Sequence, residues 1–351
     1  MQNLFNKFLA KFFSTEESVF FGFFLLLSIS FVYFFGSILL PVLVSLIIAF
    51  LLNGLIRSLE TFGLSSGFSL FLTLTIFFSL YLGLFLTLPS IGSQINELIQ
   101  SLPAIVVSFQ ETVTKFFQSY SEKVSADDIK LIFSNISSQL NTFLSQALGQ
   151  IATTISFMFN AVFVVILIPL MVFFFLKDKK YLLPMLTNLL PKERGLMNAI
   201  FAEMNDQLFN YVTGKFIEML IVASVSYLLF VSLGLPYAVL LSILVGLSVI
   251  IPIFGAILVT VPVVLVGLYE WGLTGNFYWL LGLYLLIQVL DGNFLVPLLF
   301  SSRNNLNPAI IIIAIVFFGG IWGFWGLFFA IPLATFLKAI INSWPESKQK
   351  S

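Results

Sequence analysis

The sequence predicts an all-α, polytopic helical membrane protein, and three observations point there. Apolar runs of about twenty residues recur along the 351-residue chain, the length a helix needs to cross a hydrocarbon core. Charged residues make up 9% of the chain against 59% hydrophobic, where soluble domains carry about 25% charge. Between the runs, apolar residues recur at three- and four-residue intervals, the period of an amphipathic helix. The same composition excludes much chemistry. There is no Cys and no His, which removes disulfides, thiol nucleophiles, His-ligated metals and imidazole acid–base catalysis. Net charge is zero, so the chain has no long-range attraction to nucleic acid. No paired-acid motif for metal–phosphate chemistry and no serine-nucleophile elbow is present. Neither an enzyme nor a resident cofactor or metal is expected.

Residues 1–18, MQNLFNKFLAKFFSTEES, place Leu4, Phe5, Phe8, Leu9 and Phe12 on one helical face and Lys7 and Lys11 on the other. No small-residue cleavage site follows, so the leader is an interfacial helix or a basic segment that orients the first span. Residues 19–55 are too long for one crossing and are interrupted at Gly36 and Pro41, which predicts two helices joined by a tight turn. A third span covers 68–89, completing three N-terminal transmembrane helices within 19–89. Residues 90–152 change composition: Ile91, Ile95, Leu98 and Leu102, then Val106, Phe109, Val113 and Phe116, recur among Ser, Gln, Glu and Lys. After Ser125, a candidate cap for Asp128, the pattern resumes at Ile129. The expectation is an extramembrane amphipathic region, either a gate or oligomerisation arm or a cap lying on its own spans. A fourth span follows at 153–176, then a polar amphipathic region at 177–213, then a fifth span within a C-terminal core at 214–345.

Orientation follows from the basic residues. Twelve of the sixteen Lys and Arg lie in 1–18, 57–67, 177–215 and 338–351, whereas 90–152 holds three, with five acids. The positive-inside rule puts both termini and the 177–213 region in the cytoplasm.

The C-terminal third carries the candidate site. Segments 236–269 and 308–341 each hold 34 residues, about 51 Å as a straight helix against a core of about 30 Å. The first contains Pro252, Gly255 and Pro262; the second contains Gly319, Gly320, Gly323, Gly326 and Pro332. Counted from the opening prolines, the breakers fall at similar offsets, as an internal repeat would place them. Unpaired backbone survives at membrane depth only inside protein or beside a wet cavity, and paired broken segments point to a transport site. Two broken, re-entrant-like hairpins are therefore expected, giving about eight membrane segments. They would return Arg303 to the cytoplasmic side.

Between them, residues 277–300 form a span containing a carboxylate, Asp291. Tyr284, Gln288 and Asp291 stand at i, i+4 and i+7 on one face, with Asn293 beside them. A charged group at helix centre costs about 2.5–3.5 kcal/mol on insertion scales, so it normally faces a cavity or partner. An isolated carboxyl in low dielectric resists ionisation, which makes Asp291 a candidate proton or cation carrier. The plainer reading is a helix end, with Gly292 and Asn293 stopping the helix and Asp291 capping exposed backbone.

At these residues the chain resembles the autoinducer-2 exporter family of bacterial permeases, most closely its PerM-type branch. The text that carries the resemblance is NYVTGK (210–215), GLPYAVLLSILVGLSVIIPIFGAILVTVP (234–262), LDGNFLVPLLF (290–300) and NPAIIIIAIVFFGGIWGFWGLFFAIPLATFLKAI (307–340). The resemblance implies a homo-oligomer, with pentamers described, and export of small molecules or ions. Pro252 and Gly255 match the family's Pro-x-x-Gly break, Asp291 an acidic position, Pro297 the end of that span, and the glycines from Gly319 to Gly326, with Pro332, the final motif. The chain departs at Ile253, where Tyr is usual, and at Asn307, where PerM-type members carry His.

The function expected is a bacterial inner-membrane permease exporting a small molecule or ion, proton- or cation-coupled. Asp291, Gln288, Asn293 and Tyr284 would line its path and the broken helices would supply backbone groups. The alternatives are a sodium (lithium)/proton antiporter and a non-transporting oligomeric scaffold in the lipid bilayer.

Overall fold

The computed structural model describes residues 16–120, 162–188, 195–252, 254–300 and 307–343, with scattered positions between 138 and 153. The leader residues 1–15, the Ser125 cap, Ile253 and Arg303 lie outside the described residues. Among the described residues every element is helical. Five helices among the described residues are long and apolar enough to cross a membrane: Pro41–Thr61, Ser66–Lys115, Ile200–Leu233, Phe254–Trp271 and Gly275–Leu299. Shorter apolar helices accompany them at Val165–Lys177, Ala238–Ser248, Ala309–Gly323 and Gly326–Ile341.

Two compact units divide the chain, and each reuses distant stretches. Residues 1–81, 163–213 and 303–351 form the first; 82–162 and 214–302 form the second.

In the first unit, helix α1 (Glu16–Thr61) corrects an expectation: it runs through Gly36 and Pro41 as one element of 46 residues, not two helices with a turn. A proline removes one N–H from the ladder, and in an apolar setting opening the helix further would orphan several more groups. The Ser45 hydroxyl instead bonds the Pro41 carbonyl (2.6 Å) and reaches the Ile168 carbonyl (3.2 Å) of the next-but-one helix. Ala49 and Ile56 of α1, Leu74 and Phe77 of α2 (Ser66–Tyr120) and Ile168, Val172 and Leu176 of α3 (Val162–Lys177) form one apolar cluster. Pro169 frees the Val165 carbonyl, and the Tyr81 hydroxyl donates to it at 2.9 Å. The 177–213 region is not a separate block. It divides between α4 (Lys179–Asn188) and α5 (Gly195–Leu233), and α5 continues through 213 into the fifth span without a break.

The last element of the first unit, α10 (Pro308–Ser343), folds back on itself at Gly323, whose φ of 58° and ψ of −133° are not helical. Ala314, Ile315 and Phe318 of the first arm pack on Ala330 and Ala334 of the second. A Cβ on Gly326 would run into the Phe318 carbonyl oxygen. These contacts require a hairpin.

In the second unit, α2 carries the stripe that the sequence marked as amphipathic. The helix passes through Pro89 and Pro103, so 68–89 and 90–120 are one element rather than a span and a detached arm. Ile91, Ile95, Leu98, Leu102 and Ile105 are buried in a single core with Val222 and Phe230 of α5, Leu240, Leu241 and Val245 of α6 (Ala238–Ser248), and Val259, Val263 and Val266 of α7 (Phe254–Trp271). Leu280 and Tyr284 of α8 (Gly275–Leu290) complete it. Over this stretch the stripe lies on the chain's own apolar helices, where its apolar face loses water contact. After α8 come a single π-helical segment, Asp291–Leu295, and α9 (Val296–Phe300).

Candidate functional site

The first broken segment builds the site. Helix α6 has only 11 residues, about 16 Å of rise, roughly half a hydrocarbon core. It stops at Val249, the chain turns through Ile250, Ile251 and Pro252, and α7 leaves in a packed hairpin. Gly255 makes the turn possible, since a Cβ there would overlap the Ser248 carbonyl oxygen. Gly246 lets α6 lie against Met219 and Ala223 of α5, where a Cβ would come within 2.9 Å of the Met219 carbonyl oxygen.

A half-helix in an apolar core exposes N–H groups at one end and C=O groups at the other. Both ends are met by side chains from other helices. At the start, Tyr237 takes a left-handed conformation (φ 60°) and offers no side-chain cap. The Gln94 side-chain carbonyl of α2 accepts from the Leu240 N–H at 3.0 Å instead, and the Ser101 and Tyr237 hydroxyls meet at 3.2 Å. At the finish, the Lys215 ammonium of α5 donates to the Val249 carbonyl at 2.8 Å. A cation at a helix C-terminus also complements the dipole there.

Lys215 is itself one half of a buried ion pair. Its Nζ donates to Glu218 Oε1 at 3.1 Å and lies 2.9 Å from Oε2, and the two side chains are 7% and 2% exposed. Charge holds Oε2, which has no hydrogen-bond partner. Asp291 interacts electrostatically with both Lys215 and Glu218. Lys215 and Glu218 therefore sit at the open end of a half-helix, with Asp291 in electrostatic reach, beside a core of aliphatic and aromatic residues.

Asp291 stands at the junction of α8 and the π segment. It does not terminate the helix: its backbone stays helical (φ −59°, ψ −58°) and the chain continues through α9. Its Oδ1 is buried without a hydrogen-bond partner, as is Gln288 Nε2 one turn earlier. Tyr284, another turn back, is fully buried, lies with its ring tilted 31° against Phe230 and has its hydroxyl 3.3 Å from the Thr260 hydroxyl. The shared face predicted for Tyr284, Gln288 and Asp291 is thus turned inward. Asn293 departs from it: the residue is exposed, and its amide donates to the Val289 carbonyl at 2.9 Å. The π segment shifts the register after Asp291, and a π turn leaves carbonyls for side chains to satisfy.

The proposed hinges divide in the same way. Pro252 and Gly255 lie at a break and Gly323 makes one, with Gly319 and Gly326 in close contact with the opposite arm of α10. Gly320 has open space around it. Pro262 and Pro332 lie within continuous helical arms, and Pro297 in the first turn of α9. The two hairpins belong to different compact units, so the site is described from the first alone.

The sequence reading passed over Lys215 and Glu218. Their signal was present in GKFIEML: opposite charges at i and i+3, opening a run that carries no other charge as far as Gly234. Ser226, two turns beyond Glu218 on α5, is also fully buried with an unpartnered hydroxyl.

The chain is 37% identical over 338 residues to the protein named "Putative permease PerM" of Escherichia coli strain K12, covering 96% of each. It is 28% identical over 323 residues to "Putative transport protein YueF" of Bacillus subtilis strain 168, covering 88% of this chain and 85% of that one. Against "AI-2 transport protein TqsA" of Escherichia coli strain K12 the identity is 23% over 317 residues, 88% of this chain and 87% of that one. A family model described as AI-2E family transporter matches residues 22–346, and with its helical membrane-type fold this chain belongs to that family.

Proposed function

We propose that the chain is a secondary permease of the bacterial inner membrane, with both termini cytoplasmic, working as a homo-oligomer and exporting a small molecule or ion against a proton or cation. The observation that carries this reading is the buried, unpartnered Asp291 oxygen beside the Lys215–Glu218 pair at the broken end of α6. Burying charge is costly without a task or a partner, and half-helix ends near membrane mid-depth are where secondary transporters hold their ligands. Asp291 would carry the coupling proton or cation, Gln288 would contact it, and Tyr284 would pack the wall. The surrounding apolar core favours a small neutral solute or a cation over multiply charged substrates.

The test is efflux from proteoliposomes with and without an imposed proton gradient. Asp291→Asn should abolish gradient-driven transport while leaving the protein folded. Unchanged gradient dependence in that variant would remove Asp291 from coupling.

Sodium (lithium)/proton antiport is the second reading, and one observation favours it: Asp291 is not a solitary acid, since it interacts with Glu218. Sodium flux that depends on pH in the absence of any solute would select it.

A further inference from the structure

Lys215 is more than a structural partner of Glu218. We propose that its ammonium is a tethered occupant of a site for one monovalent cation, and that a guest cation enters by sending Lys215 from Glu218 to Asp291. The proposal rests on the permease reading, with its site at the broken end of α6.

Three oxygens already converge on one cationic nitrogen: Val249 O at 2.8 Å, Glu218 Oε2 at 2.9 Å and Glu218 Oε1 at 3.1 Å. Carboxylate and main-chain carbonyl oxygens, with no sulfur or imidazole, form a donor set for a hard cation such as sodium, lithium or ammonium. Charge fixes the valence. With Asp291 deprotonated, two carboxylates and one lysine leave a single negative charge, which one monovalent cation balances and a divalent ion overshoots.

The lysine has somewhere to go. Asp291 Oδ1 is buried without a partner, and Lys215 already acts on it electrostatically. A lysine moves its charge on a flexible four-carbon stem, so the transfer exchanges one carboxylate for another. The guest then takes the Glu218 oxygens and the Val249 carbonyl. At rest the tethered ammonium competes at high effective concentration, which keeps guest affinity low and makes release easy.

The experiment is equilibrium binding of radioactive sodium to purified full-length protein in detergent, followed by efflux assays on the same preparations. Lys215→Met should bind sodium at least tenfold more tightly than the wild type, and Lys215→Arg should stay as weak as the wild type. Asp291→Asn leaves the Lys215–Glu218 pair intact but removes the second berth, and it should lose sodium binding at least tenfold. A folded Lys215→Met protein with wild-type affinity would overturn the proposal. If Lys215→Met does not fold, wild-type sodium affinity in Asp291→Asn would overturn it equally. Solute efflux that persists while these binding shifts are absent would sink the lysine exchange and leave the permease reading standing. A wild type that moves neither solute nor ion would sink the permease reading itself.

Discussion

The Tyr211 hydroxyl donates to the Phe328 main-chain carbonyl at 3.2 Å, four residues before Pro332. Pro332 has no N–H to give that carbonyl, and a tyrosine 117 positions earlier supplies a donor. Tyr81 does the same for Val165 ahead of Pro169, at 2.9 Å. Both prolines stay inside continuous helical arms because a side chain from another helix repairs the ladder.

Removing the repair should therefore cost stability in proportion to one buried hydrogen bond. Tyr211→Phe is expected to destabilise by about 1–2 kcal/mol, read as a lower thermal midpoint in detergent. Pro332→Ala in the same background should recover most of the loss, because alanine restores an N–H within the helix. A double variant no more stable than Tyr211→Phe would show that the hydroxyl does not serve the proline.

The buried ion pair makes an asymmetric prediction. Lys215→Met alone leaves Glu218 buried with an uncompensated charge and should cost about 3–5 kcal/mol, whereas Lys215→Met with Glu218→Gln should recover most of it. Thermal unfolding of the three proteins at one pH checks this. Equal losses in the single and double variants would mean that packing, not charge, dominates.

Glycine requirements should differ sharply between positions that look alike in sequence. Gly255→Ala forces a Cβ onto the Ser248 carbonyl, main chain against main chain, and is expected to reduce stability by at least the about 1–3 kcal/mol of ordinary overpacking. Gly320→Ala meets nothing within 4 Å and should be neutral. Comparing the yield of monodisperse protein for the two variants decides the point.

Gly323 presents a conformational rather than a spatial demand. Space is open around it, but φ is 58° with ψ −133°, a region costing non-glycine residues about 1–3 kcal/mol. Gly323→Ala should lower the thermal midpoint although it makes no clash, and a fully stable variant would show that the turn can form another way.

Much of this was legible in the chain. The run lengths marked the helices, and the three- and four-residue spacing marked the stripe that α2 buries at Ile91, Ile95, Leu98, Leu102 and Ile105. Pro252, Gly255 and Gly323 marked where helices break or turn, because a missing N–H or Cβ acts within a residue or two of itself. That Tyr284, Gln288 and Asp291 share one face followed from helical periodicity, and that the face would avoid lipid followed from the cost of a charge there. Local rules failed where a distant group intervened. Pro41 carries every sequence sign of a break, yet α1 runs through it. The π segment after Asp291 turned Asn293 outward, a register change that no single residue announces.

What the sequence by itself determined is the set of places where an apolar chain must stop pairing its own backbone. What tertiary structure decided is who answers those gaps: Gln94 for the start of α6, Lys215 for its end, Tyr211 for Phe328. The physical reason is range. Backbone geometry acts between neighbours in sequence, whereas a hydrogen bond or a buried charge takes its partner from whatever packing brings within about 3 Å, and in these cases the partners lie 34 to 146 positions apart.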